Sequence, residues 1–165
     1  MFNIKDIKIF IVDCDGCLTD GSLYYTEAGK YMKKFNSKDG LGLMQVKQMN
    51  IVTGIVTGDS KSFIAEKRGE HLKLDFVKSG IGQKDREVEK ILKEYNLEWK
   101  NLAYFGDDLN DLETIKKCGL SFSPNDGHKT IKEQVDIVCK LNGGFGSVRE
   151  ACDLLTNNTY FGDIS

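Results

Sequence analysis

Three short apolar runs in this chain each end in acidic residues, and that repetition constrains the fold more than any other feature. Residues 7–13 read Ile-Lys-Ile-Phe-Ile-Val-Asp and lead into Cys14-Asp15-Gly16. Residues 51–57 end in Thr57 and lead into Gly58-Asp59. Residues 102–105 lead into Gly106-Asp107-Asp108. Runs this short, rich in β-branched and aromatic residues, read as strands. Helical patterns lie between them. Val88, Ile91, Leu92 and Tyr95 recur at i, i+3, i+4 and i+7 over 85–95, with charges on the opposite face. Asp39 is positioned to cap a helix through Leu41, Met44 and Val46 to about Met49. Further helices are predicted over about 60–70 and over 112–118, and further short strands over 119–123 and 135–138. Alternation of this kind predicts an α/β fold: a three-layer, Rossmann-like arrangement around a parallel central sheet. The segments 23–25 and 31–35 flank Thr26-Glu27-Ala28-Gly29-Lys30, a β-hairpin signal with glycine in the turn.

The bulk properties exclude several classes. With 165 residues, 40% of them hydrophobic, the chain suits one domain spanning 1–165 and argues against disorder. Lys plus Arg is 23 and Asp plus Glu is 25, so the net charge is 23 − 25 = −2. That is not the balance of a nucleic-acid binder. No apolar run is long enough for a membrane span, and the N-terminus lacks a signal-peptide core, so no membrane partner is expected. Five cysteines, an odd number in a chain of this length, read as reduced thiols in a cytoplasm.

In a parallel sheet, ligands bind beyond the carboxyl ends of the strands. Asp13, Asp15, Asp59, Asp107, Asp108 and Asp111 would then converge on one edge. Such a cluster repels itself unless a cation or a proton intervenes. A hard, oxygen-seeking cation such as Mg²⁺ resolves it most simply. The remaining residues suit phosphoryl transfer. Asp13 can attack phosphorus and form an aspartyl-phosphate. Asp15 can protonate the leaving oxygen and later activate water. The Thr57 hydroxyl and the Gly58 amide can hold phosphate oxygens. Lys84 can offset phosphate charge and orient Asp13.

These residues resemble the four motifs of the haloacid dehalogenase (HAD) phosphatase superfamily. Asp13-Cys14-Asp15-Gly16-Cys17-Leu18-Thr19-Asp20-Gly21, Thr57, Lys84 and Gly106-Asp107-Asp108-Leu109-Asn110-Asp111 stand in its order. Leu23-Tyr24-Tyr25, Phe35-Asn36, Asp39-Gly40-Leu41-Gly42 and the stretch Gly143-Gly144-Phe145-Gly146 are similar to the 3-deoxy-D-manno-octulosonate (KDO) 8-phosphate phosphatase family. The likeness covers residues 7–155. It implies a Mg²⁺-dependent phosphatase acting on KDO 8-phosphate or on a nonulosonate 9-phosphate, such as a KDN or N-acylneuraminate 9-phosphate. The metal would be held by Asp13, Asp107 and the backbone carbonyl of Asp15, with Asp111 supporting its waters. Asp59, Lys38 and Asn110 are the candidate substrate contacts. About thirty residues separate Gly21 from Ile51, too few for a cap domain with its own core. The resemblance instead implies a homotetramer, in which the hairpin (about 22–36) and the C-terminal tail (about 143–165) cover neighbouring active sites.

Two positions depart from the KDO 8-phosphate branch. Asp59 stands where that branch has Arg, and Phe145 replaces the Arg of its tail motif. The acid at 59 resembles the nonulosonate branch, where a lysine partner is expected near the end of the following helix. His71 occupies that position here. Lys33-Lys34 and Lys116-Lys117 read as solvated faces, Cys14 and Cys17 as packing residues, and His128 as structural. Two other classes compete. A phospho-Asp receiver uses similar parts, but in another order and without an acid at position 15. A non-catalytic tetramerisation module, like that fused to acylneuraminate cytidylyltransferases, would not need the complete catalytic set.

Overall fold

The computed structural model of the chain describes residues 4–60 and 63–156. Six strands form one sheet: β1 (Ile9–Val12), β4 (Val52–Val56), β5 (Phe76–Lys78), β6 (Leu102–Phe105), β7 (Leu120–Ser123) and β8 (Ile137–Val138), in the order β5-β4-β1-β6-β7-β8. Every neighbouring pair in it is parallel. A separate antiparallel pair, β2 (Tyr24–Thr26) and β3 (Gly29–Met32), makes the hairpin.

Side-chain alternation along the strands assigns the two faces. Phe10 and Val12 of β1, with Ala103 and Phe105 of β6, point into one core. That core is closed by α1 (Ser37–Gln48), α2 (Phe63–Leu72) and α6 (Ser147–Leu155). Ile9, Ile11, Leu102 and Tyr104 point into the other, closed by α3 (Lys84–Glu94), α4 (Leu112–Ile115) and α5 (Lys129–Lys132). The predicted amphipathic stripe of α3 buries Val88, Ile91 and Leu92, each contributing roughly 1.5–3 kcal/mol. Helices α1 and α6 approach closely at Gly42, where a Cβ would sit 2.8 Å from the Cys152 Cβ.

The register brings the strand ends together. Val12 is level with Ile55 and with Phe105. From β1 the chain moves outward on one side through β4 and β5, then crosses to the other side at β6. The reversal at β1 is the switch point where α/β sheets open a crevice.

Several boundaries differ from expectation. The hairpin turns at Glu27-Ala28, with Gly29 at φ 112°, so the turn is tighter than 26–30. Asn36 caps α1, its side chain accepting from the Lys38 amide, whereas Asp39 lies inside the first turn. There the Asp39 carboxylate accepts from the Arg149 amide at 2.8 Å and so serves the start of α6. Strand β5 and helix α6 were not expected; the second lies within what read as a tail. Residues 157–165 of that tail, together with 1–3 and 61–62, fall outside the described residues.

Candidate active site

Asp13 follows β1 directly, and its amide donates to the Phe105 carbonyl at 2.9 Å, which ties it to the sheet. The chain then turns through Cys14–Leu18, where Gly16 adopts φ 82°. Glycine is favoured there for two reasons. The left-handed backbone is strained for a side chain, and a Cβ would collide with the Asp107 carboxylate. The glycine therefore lets the first and third acidic loops touch.

Lys84 enters from the first residue of α3, fully buried. Its Nζ lies 2.8 Å from Asp13 Oδ1 and 2.7 Å from Asp111 Oδ1. Burial alone would lower its pKa, but Asp13 and Asp111 raise it well above the ordinary value, so it stays charged. Asp111 is saturated by the protein. Its Oδ1 also accepts from the Tyr104 hydroxyl at 2.6 Å, and its Oδ2 from the amides of Asp107 and Asp108 at 3.1 and 3.3 Å. Tyr104 is a functional residue that sequence reading missed. Its signal is a hydroxyl within a wholly apolar strand, which must find a partner when buried.

The acidic strand ends meet around a cavity of about 300 Å³. Asp13, Asp15, Thr57, Gly58, Asp59, Asp107, Asp108 and Asn110 line it. The predicted nucleophile, acid/base residue, phosphate-binding turn and two of the three substrate candidates thus share one space. Lys38, the third, is exposed in the first turn of α1 and is not among the lining residues. Thr57 is buried, and its Oγ accepts from the Asp59 amide at 3.2 Å.

Ligand atoms of Asp13, Cys17 and Asp107 lie within 4.8 Å of one another. Burial raises Asp13 well above the usual carboxylate range, against the opposing pull of Lys84. Burial, and then the Asp111 charge, push Asp107 up to about 6. One buried and one half-buried carboxyl held this close are hard oxygen donors that fit a divalent ion such as Mg²⁺. Asp111 lies outside this group, its oxygens taken by protein donors.

Lys33 departs most from its expected place. It is not on a solvated face. Its side chain is 1% exposed, and its Nζ sits 2.8 Å from both Asp15 Oδ1 and Asp59 Oδ2. The cation paired with Asp59 thus comes from the hairpin, not from the end of α2, where His71 is exposed. Lys34, Lys116 and Lys117 are exposed as expected. Lys34 stacks over the Phe145 ring, with Nζ 4.1 Å from its centroid. All five cysteines are free; Cys14 and Cys17 are buried, and burial raises both thiols far above the ordinary range. His128 caps α5, its Nδ1 accepting from the Thr130 amide, and its own amide donates to the Asp107 carbonyl at 2.8 Å. No helix among the described residues is long and apolar enough to cross a membrane.

Residues 66–151 match the haloacid dehalogenase-like hydrolase family. The KDO 8-phosphate phosphatase of Escherichia coli K12 is 35% identical over 151 residues, covering 92% of this chain and 80% of that protein. A crystal structure of the Moraxella catarrhalis KDO 8-phosphate phosphatase, in complex with magnesium, phosphate and KDO, superposes with a TM-score of 0.89. It is 34% identical, covering 93% of this chain and 88% of that one. The cobalt-bound Haemophilus influenzae phosphatase superposes equally well, with a TM-score of 0.89 and 32% identity over 93% of this chain and 90% of that one. The chain belongs to the haloacid dehalogenase-like hydrolases and, within them, to the family of the KDO 8-phosphate phosphatases.

Proposed function

We propose that this chain is a phosphoric monoester hydrolase that removes the terminal phosphate of a keto-sugar-acid phosphate, with KDO 8-phosphate the first candidate. One observation carries the reading. The Asp13 carboxylate, fixed by Lys84 at the end of β1, opens into a cavity whose walls carry Asp15 and Thr57.

The residues act in two half-reactions. Asp13 attacks phosphorus and forms an aspartyl-phosphate. Asp15 gives a proton to the departing sugar oxygen, then takes one from the water that cleaves the acyl-phosphate. The Thr57 hydroxyl, the Gly58 amide and the Lys84 ammonium hold the phosphoryl oxygens. Asp13, Asp107 and the Asp15 carbonyl would hold Mg²⁺, which when bound offsets charge on those oxygens. Asp111 keeps Lys84 and the Asp107 loop in place. Asp59 and Asn110 face the leaving group, and Lys38 meets it from outside the cavity.

A nonulosonate 9-phosphate is the second reading. The acid at position 59 favours it, as does Phe145 in place of a tail arginine. The active assembly is a homotetramer working in a cytoplasm, with no nucleic-acid or membrane partner. Leu23, Tyr24, Tyr25 and Met32 on the hairpin, with Phe145, are exposed apolar surface that such an assembly would cover. Phosphate release with Mg²⁺ from KDO 8-phosphate, beside KDN and N-acetylneuraminate 9-phosphates, tests the reading. Preference for the eight-carbon ester supports the first candidate. Preference for a nine-carbon ester moves the assignment to the second, and release from none removes both.

A further inference from the structure

Lys33 is a buried cation that the two half-reactions above do not use. It follows directly on β3, whose partner strand β2 is exposed along its length. A lysine ammonium is costly to bury unless it is paired and hydrogen-bonded. Here it is paired twice, and its two partners differ. The Asp59 side chain is 6% exposed, whereas that of Asp15 is 33% exposed. Both line the cavity, but Asp59 is the buried anchor and Asp15 the more exposed partner.

The anchor is itself fixed. The Asp59 amide donates to Thr57 Oγ at 3.2 Å, which ties it to the turn after β4. Asp15 lies in the turn after β1. It sits at φ −83°, ψ 125°, just before the left-handed Gly16, in an irregular turn rather than a regular helix. Lys33 contacts both of its carboxyl oxygens, at 2.8 and 2.9 Å. The side chain forms a strut from the turn after β4, through the hairpin, to the acid/base residue.

On the basis of the phosphatase reading, we infer that Lys33 is a positioning residue for Asp15: locked on Asp59, its ammonium fixes the Asp15 carboxyl on the leaving-group side of the cavity. During transfer, an Asp13 oxygen bonds to phosphorus while the bond from phosphorus to the sugar oxygen breaks. That bond's electron pair goes to the sugar oxygen, which takes the proton from Asp15. The proton comes from the Asp15 carboxyl, and Lys33 keeps all of its own. Asp59, an acid where the KDO branch has Arg, is then the foot of this strut, and its charge is offset within the protein.

The test compares two esters that differ in their need for a proton. An alkyl sugar phosphate has a poor leaving group. p-Nitrophenyl phosphate has a good one, which departs without help. Lys33→Met is expected to lower kcat about 100-fold on the sugar phosphate and less than about threefold on the nitrophenyl ester, with KM nearly constant. Lys33→Arg, which can reach the same two carboxylates, is expected to restore most of the loss. Equal losses on both esters, a rise in KM at constant kcat, or no loss would each overturn the inference. Should Lys33→Met fail to fold, Lys33→Gln removes the charge while keeping a polar side chain, and must show the same split between esters. A wild-type protein inactive on both esters would count against the phosphatase reading itself rather than against the strut.

Discussion

Two buried lysines flank the Asp13–Asp15 loop, and each bridges two carboxylates, but they are built differently. Lys84 belongs to α3 and reaches Asp13 and Asp111 with no exposure at all. Its partner Asp111 is held in turn by Tyr104 of β6 and by two backbone amides. Lys33 comes from the end of a hairpin and meets Asp15, which remains a third exposed. The first lysine is embedded in the sheet's own framework; the second joins that framework to an appendage. A phosphatase needs both kinds of support. The nucleophile must stay fixed throughout, whereas the acid/base residue must face a leaving group that enters and departs.

This contrast predicts unequal costs. Lys84→Met leaves two buried carboxylates without their cation, so it is expected to destabilise the protein by about 3–5 kcal/mol. It should also slow turnover by about 10²–10³-fold by removing charge stabilisation at the phosphoryl group. Urea denaturation and initial rates check the two effects separately.

Asp39 supplies a comparison outside the site. Burial pushes its carboxyl up to about 6, against the Arg149, Gly146 and Val148 amides that favour the charged form. Its folded pKa thus lies above its unfolded value of about 3.9. The stability linked to its proton is fully present below about pH 4 and is lost as pH rises through about 6. Wild type should lose about 2–3 kcal/mol relative to Asp39→Asn across that window, by the usual conversion of a pKa difference. A gap independent of pH would show that the amides dominate and that Asp39 is an ordinary helix-start carboxylate.

The smallest effect belongs to the hairpin. Lys33→Met should cost only about 1–2 kcal/mol, because solvent screens the partly exposed Asp15. If thermal or urea unfolding shows it to be as destabilising as Lys84→Met, the distinction between framework and appendage fails.

The sequence is legible where chemistry and periodicity coincide. The short apolar runs of β1, β4 and β6 are each followed within two residues by one that lines the cavity, and the α3 stripe is plain from its spacing. Strand β5 escapes because Phe76-Val77-Lys78 is three residues long and has no alternation to read. Helix α6 hides behind Gly143-Gly144-Phe145-Gly146, glycines that look like a tail but deliver the chain to Ser147. Asn36, not Asp39, caps α1, because Asp39 is drawn instead to the α6 amides across the helix pair. Lys33 is the instructive case. Nothing in Met32-Lys33-Lys34-Phe35 separates the buried lysine from its exposed neighbour. Only the hairpin's return path across the Asp15 loop does so, and that is a tertiary fact.

Asp13 stands in the proposed reaction as the phosphorylated nucleophile of a Mg²⁺-dependent phosphatase. The most direct measurement of that role is inorganic phosphate release from KDO 8-phosphate with Mg²⁺, by wild type and by Asp13→Asn, each beside an EDTA control. We predict release by wild type, its suppression by EDTA, and a loss of at least about 10⁴-fold in a variant whose fold is intact. Undiminished release by a cleanly folded Asp13→Asn would contradict the account.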